Sequence, residues 1–309
     1  MNKDSKIFVA GHNGLVGSAI VRKLQVEGYH NVITRTRKEL NLIDKAQVDV
    51  FFEEERPEYV FLAAAKVGGV HANNTLRAEF IYENLAIQTN VIHACYVNRV
   101  KKLLFLGSNC LYPNLVQRPI KEEYLLAGKI EPTTEAYAIA KIAGIKMCEA
   151  YREQYGCNFI TLLPVNIYGP NDSYDLENSH VMPGLLRKFK EAVFKGSEYV
   201  EIFGTGNPRR EFMHVDDLAD ACLFCMLNYN EKEPINIGTN EEISINDLTR
   251  LLKEITGFKG NIKNDLNKPD GVMSKMLDIT KLQNIGWKHK ISLREGVTKV
   301  YSDLKDITL

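Results

Sequence analysis

The chain is predicted to be an α/β protein built on a doubly wound parallel sheet, with a second, smaller domain toward its C-terminus. Three features point to this. Short apolar runs alternate with helical periodicities as far as residue 170. The runs are apolar at nearly every position, as strands covered on both faces are. A glycine loop, GHNGLVG (11–17), joins the first run to the first helical segment, the junction where such sheets hold phosphate-bearing ligands.

In chain order, KIFVAG (6–11) is the first strand, and GLVGSAIVRKLQVEGY (14–29) has helical spacing and ends near Gly28. NVITRT (31–36) is strand-like, 43–56 helical, and YVFLAAA (59–65) a third strand. A helix is expected over 76–98 and a fourth strand over KKLLFLGS (101–108). Residues 135–156 are rich in good helix formers. FITLLPVNIYGP (159–170) reads as a fifth strand running into a loop. GPNDSYDLENSHVMPG is polar, as binding loops are, and PINIGT (234–239) is one more strand. The expected division is 1–170, to which the chain returns around 211–241, and 171–309, mainly a second domain that closes a cleft over the strand ends. Neither internal repeats nor low-complexity tracts interrupt it.

Composition narrows the function. Lys+Arg and Asp+Glu both number 39, so no net charge favours nucleic acid or a membrane surface. No apolar stretch reaches the ~18 residues of a membrane span, and the opening apolar run is too short for a signal peptide. A cytoplasmic location is expected. The 6 cysteines are scattered, which favours free thiols over a disulfide framework. Cys222 and Cys225 form a CxxC, but no second pair completes a metal site, and core packing is expected of them.

The glycines at 11, 14 and 17 suit a tight turn, close approach to a pyrophosphate, and packing of helix on strand. About 20 residues on, where an acidic residue would bind a ribose 2′-hydroxyl, the chain has Arg35 and Arg37 instead. Guanidinium groups match a 2′-phosphate, so the expected cofactor is NADP(H). Further on, YAIAK sets Tyr137 and Lys141 four apart on one helical face. A phenol ordinarily titrates near ~10, and a neighbouring ammonium brings that down toward neutrality. Ser108, at the end of the fourth strand, can hydrogen-bond the same substrate carbonyl oxygen.

On these residues the chain resembles the extended short-chain dehydrogenases/reductases, and among them the GDP-L-fucose synthase family. The similarity spans nearly the whole length: FVAGHNGLVGSAI, RTRKELNL, AAAKVGG, GSNCLYP, EAYAIAKIAGIK, NIYGP, NSHVMPGLLRKF, RREFMHVDD and KPDG. It implies an NADPH-dependent reductase of the C4 ketone of a GDP-4-keto-6-deoxy-sugar, with epimerisation at C3 and C5, working as a homodimer. Ser108, Tyr137 and Lys141 would be the reductase residues, Cys110 and His180 the epimerase base and acid. The same likeness places Gly11, Asn13, Gly14, Leu15, Val16, Gly17, Arg35, Arg37, Asn41 and Leu42 on the cofactor. Ala64, Leu106, Gly107, Lys141, Pro164, Asn166, Ile167 and His180 complete that set. Ser108, Asn109, Lys188, Phe203, Arg210 and Asp270 would hold the substrate.

Three positions depart from the family pattern. Asn13 replaces an arginine of the 2′-phosphate site, Lys188 an arginine of the nucleotide-sugar site, and Phe203 a tryptophan. Lysine loses the bidentate fork, and phenylalanine loses ring area and the indole donor. They leave room for a C4 reductase without epimerase activity, acting on a related GDP-4-keto-6-deoxy-heptose. A 4,6-dehydratase or 4-epimerase is disfavoured, because dehydratases carry acidic residues where this chain has Asn109 and Cys110. A non-catalytic NADP-binding regulator would be expected to have lost Tyr137 or Lys141, and it has not.

Overall fold

The computed structural model describes residues 1–176, 178–268 and 270–305. Its strands are β1 (Ile7–Ala10), β2 (Val32–Ile33), β3 (Tyr59–Leu62), β4 (Lys102–Leu106), β5 (Phe159–Pro164), β6 (Asn166–Tyr168), β7 (Tyr199–Phe203), β8 (Arg209–His214), β9 (Ile235–Ile237), β10 (Glu242–Ser244) and β11 (Asn261–Asp265). The helices are α1 (Leu15–Val26), α2 (Lys45–Glu55), α3 (Val70–Thr75), α4 (Arg77–Val97), α5 (Glu135–Tyr155), α6 (Val181–Lys195), α7 (Val215–Asn228), α8 (Ile245–Thr256), α9 (Thr280–Asn284) and α10 (Leu293–Lys305).

The main sheet has six parallel strands in the order β2-β1-β3-β4-β5-β9. Every residue of β1, β4 and β5 is buried, so helices cover both faces, as the continuous apolar runs require. The strand order reverses between β1 and β3, and at such a switch point the strand ends open a crevice. The expected Rossmann architecture is present.

Two stretches differ from expectation in an instructive way. The fifth run splits: β5 stays in the main sheet, Val165 donates one more bond to Ile237, and β6 then leaves to pair with β8. Hydrophobicity alone does not say which sheet a strand joins. The long helical stretch begins earlier, as α3, and is interrupted at Leu76, whose φ of −105° and ψ of 37° make it the cap of both α3 and α4. Cys222 and Cys225 are buried on α7, as packing residues.

A second buried cluster lies outside the main sheet. The α6 stripe Met182, Leu185, Leu186 and Phe189, spaced at helical repeats, packs with Leu248 and Leu252 of α8 and Val297 and Val300 of α10. Two small sheets, β10-β8-β6 and β11-β7, flank it. No helix among the described residues is long and apolar enough to cross a membrane.

Candidate active site

A cleft of about 760 Å³ opens where β1, β3, β4 and β5 end. Gly11 closes the first turn at a φ of +85°, and a Cβ there would sit 2.7 Å from the Ala64 nitrogen, so β1 and β3 meet only through glycine. A Cβ on Gly17 would lie 2.1 Å from the Gly11 oxygen, so this position too is fixed by the fold itself. Gly14 is different. A Cβ there would meet nothing closer than 3.5 Å, so the missing side chain leaves space in the cleft rather than in the protein. Gly14 caps α1 without a side-chain hydrogen bond, leaving the first-turn N–H groups of Leu15, Val16 and Gly17 to an anion. The uncapped terminus and the gap at Gly14 fit a dinucleotide pyrophosphate.

Arg35 and Arg37 line the same cleft with Asn41 and Leu42. Arg35 is held by Glu55 at 2.5 Å and lies over the Phe51 ring, and Arg37 reaches Glu83 at 3.4 Å with 71% of its side chain exposed. Both keep donors free for a phosphate. Asn13 is exposed and lies off the cleft wall. Ala64, Gly107, Pro164, Asn166, Ile167 and His180 line it; Leu106 lies behind.

Ser108, Asn109 and Tyr137 converge on the cleft. Ser108 caps the short 3-10 turn 109–111, its Oγ accepting from the Cys110 N–H at 3.4 Å. Asn109 is 5% exposed, and its Nδ2 is buried without a partner among the described residues. Tyr137, on the first turn of α5, packs edge-on against Phe80. Burial pushes its phenol above the ordinary value, and the Cys110 sulfur adds to the effect. The expected lowering by Lys141 is not what the geometry gives, and Lys141 is not among the groups that shift the phenol. Lys141 is buried behind the cleft wall, donates to the Leu106 carbonyl at 2.9 Å, and sits 4.6 Å from the Phe105 ring centre. Burial lowers its ammonium to about 8. If the charged form is the working one, kcat/KM falls as pH rises through about 8. Lys141→Met should remove that alkaline limb together with most of the activity; a wild-type profile flat above that pH would count against the assignment.

Cys110 lies beside the cleft rather than on its wall. Burial raises its thiol, while the charge of Lys275, the Ser108 hydroxyl and Lys141 pull it back. Lys275 was not singled out in the sequence. It lies in a stretch that pairs with Ile120, which bridges Leu277, and no local motif marks it. His180 is the N-cap of α6; part of its ring is open at the cleft mouth, yet the surrounding walls strip water from it and lower its imidazole.

The remaining substrate residues stand apart from this cleft. Lys188 donates to the Glu201 carbonyl at 3.0 Å and stacks its ammonium 4.5 Å above the exposed Phe203 ring. Arg210 donates to the Val272 carbonyl at 2.6 Å. Asp270 accepts from the Thr205 N–H and hydroxyl at 2.9 and 2.7 Å. Lys275 feels the charge of both Cys110 and Arg210.

Residues 7–238 match the NAD dependent epimerase/dehydratase family. The chain is 56% identical to GDP-L-fucose synthase 1 of Arabidopsis thaliana, over 97% of this chain and 93% of that one. Among solved structures it resembles a GDP-6-OMe-4-keto-L-xylo-heptose reductase from C. jejuni, with a TM-score of 0.93 at 41% identity over 99% of both chains. It also resembles MlghC, a GDP-mannoheptose C4 reductase from Campylobacter jejuni with NADP bound, with a TM-score of 0.90 at 43% identity over 98% of both. With this glycine loop, this cleft and likeness over nearly its full length, the chain belongs to the NAD dependent epimerase/dehydratase family, on its GDP-L-fucose synthase branch.

Proposed function

We propose that the protein epimerises C3 and C5 of GDP-4-keto-6-deoxy-mannose and then reduces the C4 ketone with NADPH. The carrying observation is one oxyanion site, Ser108 with Tyr137, set in the NADP cleft and within electrostatic reach of the Cys110 thiol. NADP(H) is the cofactor, and when bound it supplies the hydride to C4.

The chain's own residues do the rest. Tyr137, kept protonated by burial, donates its proton to the ketone oxygen as charge develops there. Ser108 shares that oxygen. The same pair stabilises the enolate oxygen formed when Cys110 removes a proton beside the ketone, so one site serves both steps. His180 returns a proton from the opposite face. Lys141 holds the nicotinamide ribose side, Asn109 meets the sugar, and Lys188, Phe203, Arg210 and Asp270 hold the nucleotide. The proposed division is a cofactor part, 1–170 with the return around 211–241, and a substrate part mainly within 171–309; the two buried clusters follow it only in the main, since Leu277, Ile279, Leu282 and Trp287 pack in the first and Tyr168 and Phe212 in the second. The protein is proposed to be a cytoplasmic homodimer, paired through α4 and α5, whose exposed Tyr82, Val97, Ile139 and Tyr155 support such a face.

The reading is tested with purified protein. NADPH oxidation should require GDP-4-keto-6-deoxy-mannose, with no turnover of the corresponding UDP sugar. NADP binding without turnover of any GDP-4-keto sugar would overturn it. The Lys188–Phe203 stack favours one second reading, a C4 reductase of a GDP-4-keto-6-deoxy-heptose without epimerisation. Faster turnover of the heptose, with no exchange at C3 or C5, would identify that case.

A further inference from the structure

After β3 the backbone of Lys66, Val67 and Gly68 runs along the cleft wall, and none of the roles above uses it. Two buried asparagines hold this segment. Asn84 of α4, 2% exposed, accepts from the Lys66 N–H at 3.1 Å and donates to the Lys66 carbonyl at 3.0 Å. Asn73 of α3, 6% exposed, donates from Nδ2 to the Gly68 and Gly69 carbonyls at 2.7 and 3.0 Å. A buried amide is costly unless it is paired, so such bonds fix the backbone they reach.

The other side of the segment meets the loop that carries His180. The Gly69 N–H donates to the Asn178 carbonyl at 2.6 Å. A Cβ on Gly69 would lie 2.4 Å from the Ser179 carbonyl oxygen and 3.0 Å from that of Asn178, so the two backbones touch with no room for a side chain. Gly69 has a φ of −65° and a ψ of 179°, which any residue adopts. The close approach, not the backbone angle, requires glycine here. The Asn178 N–H donates to the Asp175 carboxylate at 2.7 Å and the Ser179 N–H to the Asp175 carbonyl at 3.0 Å, which ties both to one anchor. His180 follows directly and caps α6. A chain of bonds therefore runs from Asn73 through Gly69 to Asn178, two residues before His180.

We propose that Asn73 is a positioning residue for His180: by fixing the Gly68–Gly69 backbone it sets where residues 178–180 dock, and so holds the imidazole over the face of the sugar opposite Cys110. The inference rests on the reading of Cys110 and His180 as the epimerase pair. It divides their work. Cys110 takes a proton from the carbon beside the ketone, leaving an enolate and a thiol whose proton exchanges with solvent. If the thiol gives its proton back, the carbon regains its configuration. If His180 gives one from the other face, the carbon inverts; the thiol then loses its proton to water and the imidazole regains one. Exchange needs Cys110, whereas inversion also needs His180 in place, and misplacing such a group by about 1 Å costs on the order of 10²-fold.

The test follows C3 and C5 of GDP-4-keto-6-deoxy-mannose by NMR in deuterated water, first without and then with NADPH, for wild type, Asn73→Ala and Gly69→Ala. Asn73→Ala removes the donor and keeps a good helix former in α3. Gly69→Ala presses on the Ser179 carbonyl from the other side and leaves the Asn73 side chain in place. In each variant deuterium should enter at a rate within about threefold of wild type, while inversion falls roughly 10²-fold. Added NADPH should still be oxidised, with most of the product left in the manno configuration. Retained exchange and reduction would show the fold, the cofactor site and the oxyanion site intact. Loss of exchange, inversion and reduction together in folded protein would mark a general structural role and overturn the proposal. Inversion at the wild-type rate in either variant would do the same; should Asn73→Ala fail to fold, Gly69→Ala decides. A wild type that does not invert C3 and C5 is a different failure, that of the epimerase reading itself, and the inference falls with it.

Discussion

Tyr137→Phe should lower NADPH-dependent reduction by roughly 10²–10⁴-fold, the range for loss of a positioned general acid. NADP affinity should stay within about threefold, because the removed oxygen makes no hydrogen bond among the described residues and the ring still packs on Phe80. The hydroxyl matters because hydride arrival at C4 leaves an alkoxide, far more basic than a phenol. Burial holds Tyr137 protonated across the working range, so the proton is in place when the alkoxide forms. In the variant Ser108 alone meets the oxygen, and a serine hydroxyl must then give up a proton it holds more tightly. The measurement is single-turnover NADPH oxidation with saturating GDP-4-keto sugar. A rate within a few-fold of wild type would remove Tyr137 from the chemistry and leave Ser108 and water to explain it. Exchange of protons at C3 and C5 should fall in the same variant, since the enolate oxygen uses the same site.

Much of this site is legible in the chain, for a reason that also marks what is not. The glycine loop, Arg35, Arg37, Ser108 and Tyr137 sit where a strand ends or a helix begins, and strand ends are visible as the close of apolar runs. Whether β6 joins the main sheet is not visible that way, because burial of Ile167 and Tyr168 is served by either sheet. The spacing of Tyr137 and Lys141 correctly puts both on one face of α5, yet it says nothing of depth. Lys141 turns inward to the end of β4, and only the packing of α5 on that strand decides this. The Arg35–Glu55 pair joins residues 20 apart across β2 and α2, beyond any local pattern. Asp172 is the extreme case. In the sequence it is one acidic residue in a polar loop; that it lines the cleft with Oδ2 buried belongs to the fold, in which neighbouring Asn171 reaches Ser18, 153 residues away. Lys275 is alike, a lysine in a mixed tail brought to Cys110 by pairing of its stretch with Ile120.

Cys110→Ser separates the two activities. In deuterated water with GDP-4-keto-6-deoxy-mannose and no NADPH, wild type should place deuterium at C3 and C5, and the variant should do so about 10²–10³-fold more slowly. A serine hydroxyl of nearly the same size stays protonated where a thiol can ionise. The thiol has an obstacle, since burial raises it, and the opposing charges of Lys275 and Lys141 are what keep the thiolate within reach. Exchange should therefore accelerate as pH rises toward the thiol's range, and Lys275→Met should shift that rise to higher pH. Reduction in Cys110→Ser should retain its dependence on Tyr137, because the oxyanion site is intact, but the product should keep the manno configuration. If the variant exchanges at the wild-type rate, another base does the work and Cys110 only packs against the core. If wild type itself exchanges nothing while still reducing C4, the protein is a plain reductase, and Lys188 on Phe203 becomes the place to look for its altered sugar.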